Sequence, residues 1–345
     1  MFWLYEFPHS GFDYMNILLT GGTGYIGSHT ALVLASAGHR VVLFDSLVNS
    51  DVSVVDRLET IIGTRLPFVF GDIRSTELLT STMETYGIEA VIHLAGLKAV
   101  GESVKDPLSY FSNNVGGGIS VLNAMIRIGI RKLVFSSSAT VYGEPQYLPI
   151  DEIHPRNTTN PYGRTKLIIE HMLEDIAASD RTWRISCLRY FNPVGAHESG
   201  IIGEDPRGTP SNLLPFVAQV AAGQRKFLNV LGDDYPTLDG TGVRDYIHVC
   251  DLAEGHVAAL DYLNRDCGML TVNLGTGRGS SVLEMVKAFE AASGKPVPYK
   301  MAPRRPGDIA TCYAKADKAE KLLGWCAKRS LEDICADTWN FQARA

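Results

Sequence analysis

Apolar residues along this chain fall into short unbroken runs, separated by longer stretches in which they recur with helical spacing. The runs at 16–20, 41–44, 67–70, 90–93, 132–135 and 183–188 each read as a strand buried on both faces. Between them the pattern predicts helices over 28–37, 75–86, roughly 106–129 and 160–178. Strands of this kind, alternating with helices, predict an α/β fold with a doubly wound parallel sheet, in which ligands sit at the carboxyl ends of the strands. Beyond residue 192 the texture changes, with Gly and Pro dense over 193–210 and 232–242. Helices are expected there at 211–222, 251–263, 281–292, 317–323 and 331–342, with a strand at 270–274. The pattern therefore predicts three parts: an extension over 1–14, a larger domain over 15–192 to which a segment around 243–263 returns, and a smaller α/β lobe over 193–345.

The first run ends in Gly21-Gly22-Thr23-Gly24-Tyr25-Ile26-Gly27 and leads directly into a helix. Glycines at 21, 24 and 27 differ by one residue in spacing from the dinucleotide fingerprint G-x-G-x-x-G, and the physics is shared. Without side chains they let backbone amides and a helix N-terminus approach a pyrophosphate, where the helix dipole favours negative charge. The second strand ends in Asp45, 24 residues after Gly21. A carboxylate there can hold ribose hydroxyls and repel a 2'-phosphate, which favours NAD over NADP. Strand, turn, helix, strand and acid together make the domain Rossmann-type. Asp72, His93 and Ser136-Ser137-Ser138 also fall at expected strand ends.

Tyr162 and Lys166 lie four residues apart at the opening of the 160–178 helix, so their side chains share one face. A phenol ordinarily titrates near 10 and needs help to act as a base. A cation at about 4 Å, in an effective dielectric near 20, contributes roughly 4 kcal/mol toward the phenolate, and a cationic nicotinamide would add to it. Taken alone, a Y-x-x-x-K match equally describes a surface tyrosine and lysine on an ordinary helix.

Composition narrows the remaining classes. With 345 residues, 45% hydrophobic and 20% charged, the chain reads as an ordinary soluble protein, and a net charge of -6 with no basic block longer than Arg304-Arg305 gives no footprint for nucleic acid. No uncharged run approaches the ~18 residues of a membrane span. Six scattered cysteines lack disulfide or zinc spacing and read as reduced thiols, hence a cytoplasmic location and no metal. Residues 1–14 are aromatic-rich, lack Lys and Arg, and are broken by Glu6 and Pro8, unlike a secretory signal. Met15 directly before the first strand suggests a second start; an arm that packs on a partner is the sharper alternative.

TGGTGYIGSH, GDIR, HLAGLKAVGES, SSSATVYG, PYGRTK, RYFNPVGAH, GTGVRDYIHV and NLGTG occur in this order from about Met15 onward. In this order and spacing the chain resembles the UDP-glucose 4-epimerase (UDP-galactose 4-epimerase) family of extended short-chain dehydrogenases/reductases. The resemblance implies an NAD-dependent isomerase acting on a UDP-sugar, usually as a homodimer through helices that here correspond to 106–129 and 160–178. Tyr162 would take the proton of the sugar 4-hydroxyl while carbon 4 passes hydride to NAD; the 4-keto sugar turns over and hydride returns to its other face. Lys166 would hold the nicotinamide ribose and bias Tyr162 toward phenolate, and Ser138 would hydrogen-bond the reacting oxygen. The implied cofactor shell is Gly21, Gly24, Tyr25, Ile26 and Gly27 at the pyrophosphate, Asp45 and Asn49 beside adenosine, and Asp72 and Ile73 near adenine. Leu94, Ala95, Lys98, Asn113 and Ser136 complete it. For the nucleotide sugar the family pattern implies Asn192, Asn212, Leu213, Arg244, Arg305 and Asp308; forked cations such as Arg244 and Arg305 suit a diphosphate.

Two departures separate rival readings. The related 4,6-dehydratases carry an acidic pair directly after the serine or threonine, whereas this chain has Ala139 and Thr140, neither of which can act as a general acid or base. Where some family members place a bulky tyrosine four residues after the uridine-binding Asp, this chain has Cys312, which leaves room for a 2-N-acetyl group unless a neighbour such as Tyr313 fills it. The alternatives are a 4,6-dehydratase or net dehydrogenase on the same fold, and a non-catalytic NAD-sensing protein, which would be expected to have lost Tyr162 or Lys166.

Overall fold

The computed structural model describes residues 14–344 except 207, 209, 211, 267 and 306, so residues 1–13 of the expected extension and Cys267 lie outside the described residues. Seven parallel strands form the main sheet: β1 (Asn16–Thr20), β2 (Arg40–Asp45), β3 (Phe68–Phe70), β4 (Ala90–His93), β5 (Lys132–Ser138), β6 (Arg184–Tyr190) and β7 (Gly268–Leu274). Their order across the sheet is β7-β6-β5-β4-β1-β2-β3, with the chain reversing direction of progress between β1 and β4. Ligand crevices open at the carboxyl ends of strands beside such a reversal.

Each central strand alternates between two cores. Ile17 and Leu19 of β1 face one apolar cluster with Leu43, Ile92, Val134 and Leu188, while Leu18 faces another with Val42, Val91, Leu133 and Ile185. That is why the strands read as unbroken apolar runs, and each fully buried Leu or Ile contributes roughly 1.5–3 kcal/mol. The first face is covered by α1 (Tyr25–Ser36), α2 (Ser53–Ile62), and, from late in the chain, α9 (Val249–Arg265) and α11 (Asp317–Leu323); α9 lies along α1. The second is covered by α3 (Thr76–Thr85), α6 (Gly117–Ile128) and α7 (Pro161–Ser179).

The expected helix over 106–129 is three pieces: α5 (Pro107–Tyr110), a π-helical turn (Phe111–Gly116) and α6. Inside the wide turn, buried Asn114 accepts from the Leu97 amide (2.8 Å) and donates to the Leu97 carbonyl (3.0 Å) and Thr165 Oγ1 (3.0 Å). The turn thereby fixes the loop after β4 against α7. Helix α4 (Val100–Lys105), between that loop and α5, is too short for the periodicity to announce it, whereas α2 is not among the expected helices although Val54, Val55, Leu58, Ile61 and Ile62 recur with helical spacing and pack on one core.

The strand expected at 270–274 within the smaller lobe instead pairs along its length with β6 in the main sheet, from Gly268 opposite Arg184 to Leu274 opposite Tyr190. Leu270, Val272 and Leu274 complete the core face that α9 also covers, which is the physical reason it joins there. The remaining helices, α8 (Leu213–Ala221), α10 (Val282–Ser293) and α12 (Leu331–Gln342), gather Leu214, Val217, Met285, Phe289 and Ile334 into a separate core with a two-stranded piece, Leu228–Leu231 beside Tyr299–Ala302.

One buried ion pair ties α7 to the sheet. Glu170, wholly buried, accepts from Arg189 Nε (2.9 Å) and Arg189 Nη2 (2.7 Å) of β6, from Ser137 Oγ (2.5 Å) of β5, and from Arg156 Nη1 (3.2 Å). Burial pushes its carboxyl up, but Arg189, Ser137 and Arg156 outweigh it and the net direction is down. A carboxyl depressed in this way stabilises the fold above its unfolded value of 4.5, and the contribution is lost as pH falls through the lower folded value. Glu170→Gln leaves the Arg189 charge buried without its partner and is expected to cost about 3–5 kcal/mol, whereas Glu170→Gln with Arg189→Met costs less than Glu170→Gln alone. Denaturant unfolding of the three proteins at neutral pH checks the order.

Candidate active site

The strand and helix that meet at the carboxyl edge of β5 bring together the residues with the most chemistry. Ser138 ends β5 and opens a single 3-10 turn, Ala139–Val141. Its Oγ accepts from the Thr140 amide at 3.2 Å and from Thr140 Oγ1 at 3.0 Å. Helix α7 starts where Asn160 caps the Gly163 amide (2.9 Å) and Pro161 occupies the first turn, as both residue types favour. This places Tyr162 in the first turn, with its amide on Ser103 Oγ (3.2 Å) and its carbonyl accepting from Thr165 Oγ1 (2.7 Å). Lys166 follows one turn later, buried, donating to the Ser136 carbonyl at 2.6 Å and lying 5.0 Å over the Phe135 ring.

Both groups feel burial most. It raises the Tyr162 phenol above its ordinary 10, with hydrogen bonding from Ser138 pulling the other way. It lowers Lys166 to about 8, with Cys187 and Glu170 opposing. Lys166 therefore remains a cation at neutral pH, but its charge is directed at a backbone carbonyl and does not figure among the causes that move Tyr162. Among the protein groups, desolvation of the buried phenol outweighs the one favourable contact, that from Ser138. His93, at the end of β4, is paired with Thr20 Oγ1 through Nδ1 (2.7 Å), and burial with Lys166 nearby holds it near 3, hence neutral.

Beside this cluster, the glycine turn between β1 and α1 forms a close backbone cradle. A Cβ on Gly27 would stand 2.0 Å from the Gly21 carbonyl oxygen, and one on Gly21, whose φ is +73°, would stand 2.7 Å from the Ala95 amide. Gly24 caps α1, whose first turn holds Tyr25 and Ile26 and carries no acid to compete for an anion. Asp45, at the end of β2, accepts from the Thr23 amide (3.2 Å) and the Leu47 amide (2.9 Å), which ties the turn to the loop where Asn49 is exposed. Asp72 pairs with Arg74 at 2.6 Å; Ile73 is buried against Gly117, leaving its backbone rather than its side chain for a ligand. Leu94 and Ala95 follow β4, and Asn113 in the π turn donates to Asn114 (3.0 Å). The tight backbone and the strand-end acid fit a dinucleotide.

The remaining candidates lie on the lobe formed after residue 192. Asn192 begins a short strand, Asn192–Val194, beside Tyr246–His248. Arg244 and Arg305 converge on Asp308, at 3.6 and 2.9 Å. Cys312 is the strand partner of Arg244 and is buried with Val141, Tyr142, Ile150 and Phe191; burial pushes its thiol up to about 11, so it is neutral. Tyr313 borders Gly279. Glu204 links the two halves, accepting from Lys98 (3.1 Å) and from the Nδ2 of Asn212 (2.6 Å), the residue before Leu213 opens α8. Glu170, Asn114 and Glu204 carry no motif of their own, and the motifs that contain Thr140 and Arg189 assign them no partner; only contacts across the fold single these residues out.

Comparison with known proteins places these observations. Residues 18–338 match the family model described as GDP-mannose 4,6 dehydratase. The UDP-glucose 4-epimerase of Bacillus subtilis is 56% identical over 329 residues, spanning 95% of this chain and 97% of that protein, and the Homo sapiens UDP-glucose 4-epimerase is 53% identical over 333, spanning 94% and 96%. A crystal structure of UDP-glucose 4-epimerase from Stenotrophomonas maltophila with bound NAD and formylated UDP-arabinopyranose superposes with a TM-score of 0.95 at 53% identity, covering 96% of this chain and 98% of that one. One from Bifidobacterium longum in complex with NAD+ and UDP gives 0.93 at 51%, covering 95% and 98%. Given the 2.0 Å approach at Gly27, Gly27→Ala must distort the turn and is expected to lose most dinucleotide while still folding; ultraviolet absorbance of nucleotide released on denaturation, beside the circular dichroism of the variant, checks both parts.

Proposed function

The chain belongs to the UDP-glucose 4-epimerase family of extended short-chain dehydrogenases/reductases, and from that premise we propose that it interconverts UDP-galactose and UDP-glucose by inversion at sugar carbon 4 through a 4-keto intermediate. The observation that carries the reading is the convergence of Ser138, Tyr162 and Lys166 beside the glycine cradle, followed by Ala139 and Thr140 where elimination would require carboxyl groups. Although the matching family model bears a dehydratase's name, those two residues offer no general acid or base for losing water.

NAD, when bound, supplies the site with an acceptor and then a donor of hydride together with a positive charge. Tyr162 takes the proton of the 4-hydroxyl at its phenolic oxygen and returns it when carbon 4 is reduced from the other face, so nothing is oxidised overall. Burial raises that phenol above its ordinary value through the protein groups alone, and the positive charge that NAD would supply when bound would act in the opposite direction. Lys166 orients the nicotinamide ribose from its seat on the Ser136 carbonyl, and Ser138 donates to the reacting oxygen. Gly21, Gly24, Tyr25, Ile26 and Gly27 receive the pyrophosphate, Asp45 the ribose hydroxyls. Arg244 and Arg305 pair with the UDP diphosphate, and Asp308 accepts from the uridine ribose; Asn192, Asn212 and Leu213 line the sugar side.

Cys312 supports a broader range of substrates. Its small thiol faces the cluster of Val141, Tyr142 and Phe191 next to Arg244, while Tyr313 borders Gly279, so we extend the proposal to UDP-N-acetylhexosamines. Val104, Leu108, Ile119 and Ile126 are exposed apolar side chains on α4 to α6, with Leu108 79% exposed, which favours a homodimer through that helical face. We divide the chain into a dinucleotide-binding part and a UDP-sugar lobe, with α9 and β7 belonging to the former. Among the described residues no helix is long and apolar enough to cross a membrane, and five of the six cysteines are free thiols, in keeping with a cytoplasmic enzyme.

Incubation with UDP-galactose tests the reaction: UDP-glucose should form with no lasting reduced-nicotinamide absorbance, and a 4-keto-6-deoxy product would overturn the reading in favour of a dehydratase. Tyr162→Phe should retain NAD and lose about 10²- to 10⁴-fold in kcat, the usual worth of a positioned acid/base. Cys312→Tyr should abolish turnover of UDP-N-acetylgalactosamine while sparing UDP-galactose; an unchanged ratio between the two substrates refutes the role of Cys312.

A further inference from the structure

Ser138 and Tyr162 are joined by a residue that neither motif assigns a task. Thr140 stands two positions after Ser138 and directs both its amide (3.2 Å) and its Oγ1 (3.0 Å) at the same Ser138 oxygen. A serine hydroxyl has two lone pairs and one proton. With both lone pairs receiving donors from Thr140, the only hydrogen-bonding capacity left to Ser138 is its own proton. The backbone of Ser138 is extended, with φ -150° and ψ 147°, and its hydroxyl acts on the Tyr162 phenol in the direction that stabilises the phenolate.

Thr140 also touches the other catalytic element. A Cβ on Gly163, the residue after Tyr162, would stand 2.9 Å from the Thr140 carbonyl oxygen and 3.3 Å from its Oγ1. The first turn of α7 therefore packs directly on Thr140, and nothing larger than glycine fits between them. The threonine is fixed from two sides: by the 3-10 turn it belongs to and by the helix that carries Tyr162.

We propose that Thr140 is a positioning residue that makes Ser138 a one-way hydrogen-bond donor, aiming its proton at the Tyr162 oxygen and at the sugar oxygen that shares the site. This rests on the epimerase reading for the identity of the sugar but not for the Ser138–Tyr162 geometry. A serine whose lone pairs are filled cannot accept the 4-hydroxyl proton and relay it. The proton then passes from the sugar oxygen to Tyr162 directly, breaking the sugar O–H bond and forming the phenol O–H bond, and Ser138 only stabilises whichever oxygen carries the charge. With Thr140→Val, the shape at position 140 is kept but the Oγ1 donor is gone; Ser138 is free to rotate and to accept, and the phenolate loses part of its support.

Two measurements on the NAD-bound enzyme test this. In the first, kcat and KM for UDP-galactose are followed against pH for wild type, Thr140→Val and Thr140→Ser. Thr140→Val should lose about tenfold in kcat, less than the 10²–10³ for deleting such a donor outright, with KM unchanged and the acidic limb of the profile moved to higher pH. Thr140→Ser, which keeps the hydroxyl, should restore both. In the second, the phenolate absorbance of Tyr162 is titrated as the difference from Tyr162→Phe, and should move upward in Thr140→Val. Wild-type kcat and an unmoved phenol in Thr140→Val, or equal losses in the Val and Ser variants, overturn the proposal. If wild type fails to epimerise UDP-galactose yet the phenol moves in Thr140→Val, the epimerase reading falls and the role of Thr140 stands.

Discussion

The geometry of the reactive cluster depends on one buried carboxylate. Glu170 sits one turn beyond Lys166 on α7 and reaches the two neighbouring strands at once, Ser137 on β5 and Arg189 on β6. Ser137 is flanked by Ser136, whose carbonyl holds Lys166, and by Ser138, which faces Tyr162. A single helix–sheet contact therefore sets the spacing of all three groups. Arg189 extends the network outward, donating to the Tyr142 hydroxyl (2.9 Å), which donates in turn to Asn273 on β7 (2.6 Å). Buried charges are costly unless fully paired, and this one satisfies its acceptors with four protein donors.

The same burial that makes the pair effective biases the reactive groups toward neutrality. Tyr162 is raised, Lys166 is lowered to about 8, and His93 is held near 3, each with desolvation as the leading cause. A site so poor in free charge responds strongly to any charge placed in it, because low dielectric magnifies each interaction. That suits chemistry in which a cationic ring gains and loses charge within one turnover. It also explains why Lys166 has to be held: the Glu170 carboxylate opposes the loss of its proton, and the Ser136 carbonyl accepts from its ammonium.

Away from this network, the chain pairs further cations with carboxylates. Arg244 and Arg305 share Asp308, and Lys98 shares Glu204 with Asn212. These are part-exposed pairs of modest worth, whereas the Glu170–Arg189 pair is buried on both sides.

The sheet was legible in the sequence because β1, β2, β4, β5 and β6 are buried on both faces, and such strands appear as unbroken apolar runs whatever their neighbours. The glycine turn, Asp45, Tyr162 and Lys166 were legible because their spacing along the chain is itself the geometry: a turn, a strand end, one turn of helix. What the sequence could not determine was anything that depends on partners distant in number. β7 carries an apolar pattern no different from that of a lobe strand, and only its pairing with β6 places it in the main sheet. Glu170 and Arg189 lie 19 residues apart with nothing local to show that they pair, and the meeting of Thr140 with Ser138 and Gly163 depends on how closely α7 packs on the end of β5. The direction in which Tyr162 titrates also belonged to the tertiary structure. Charge spacing along a helix suggested a phenol lowered by its lysine, but the surrounding low dielectric, which no local pattern encodes, raises it instead.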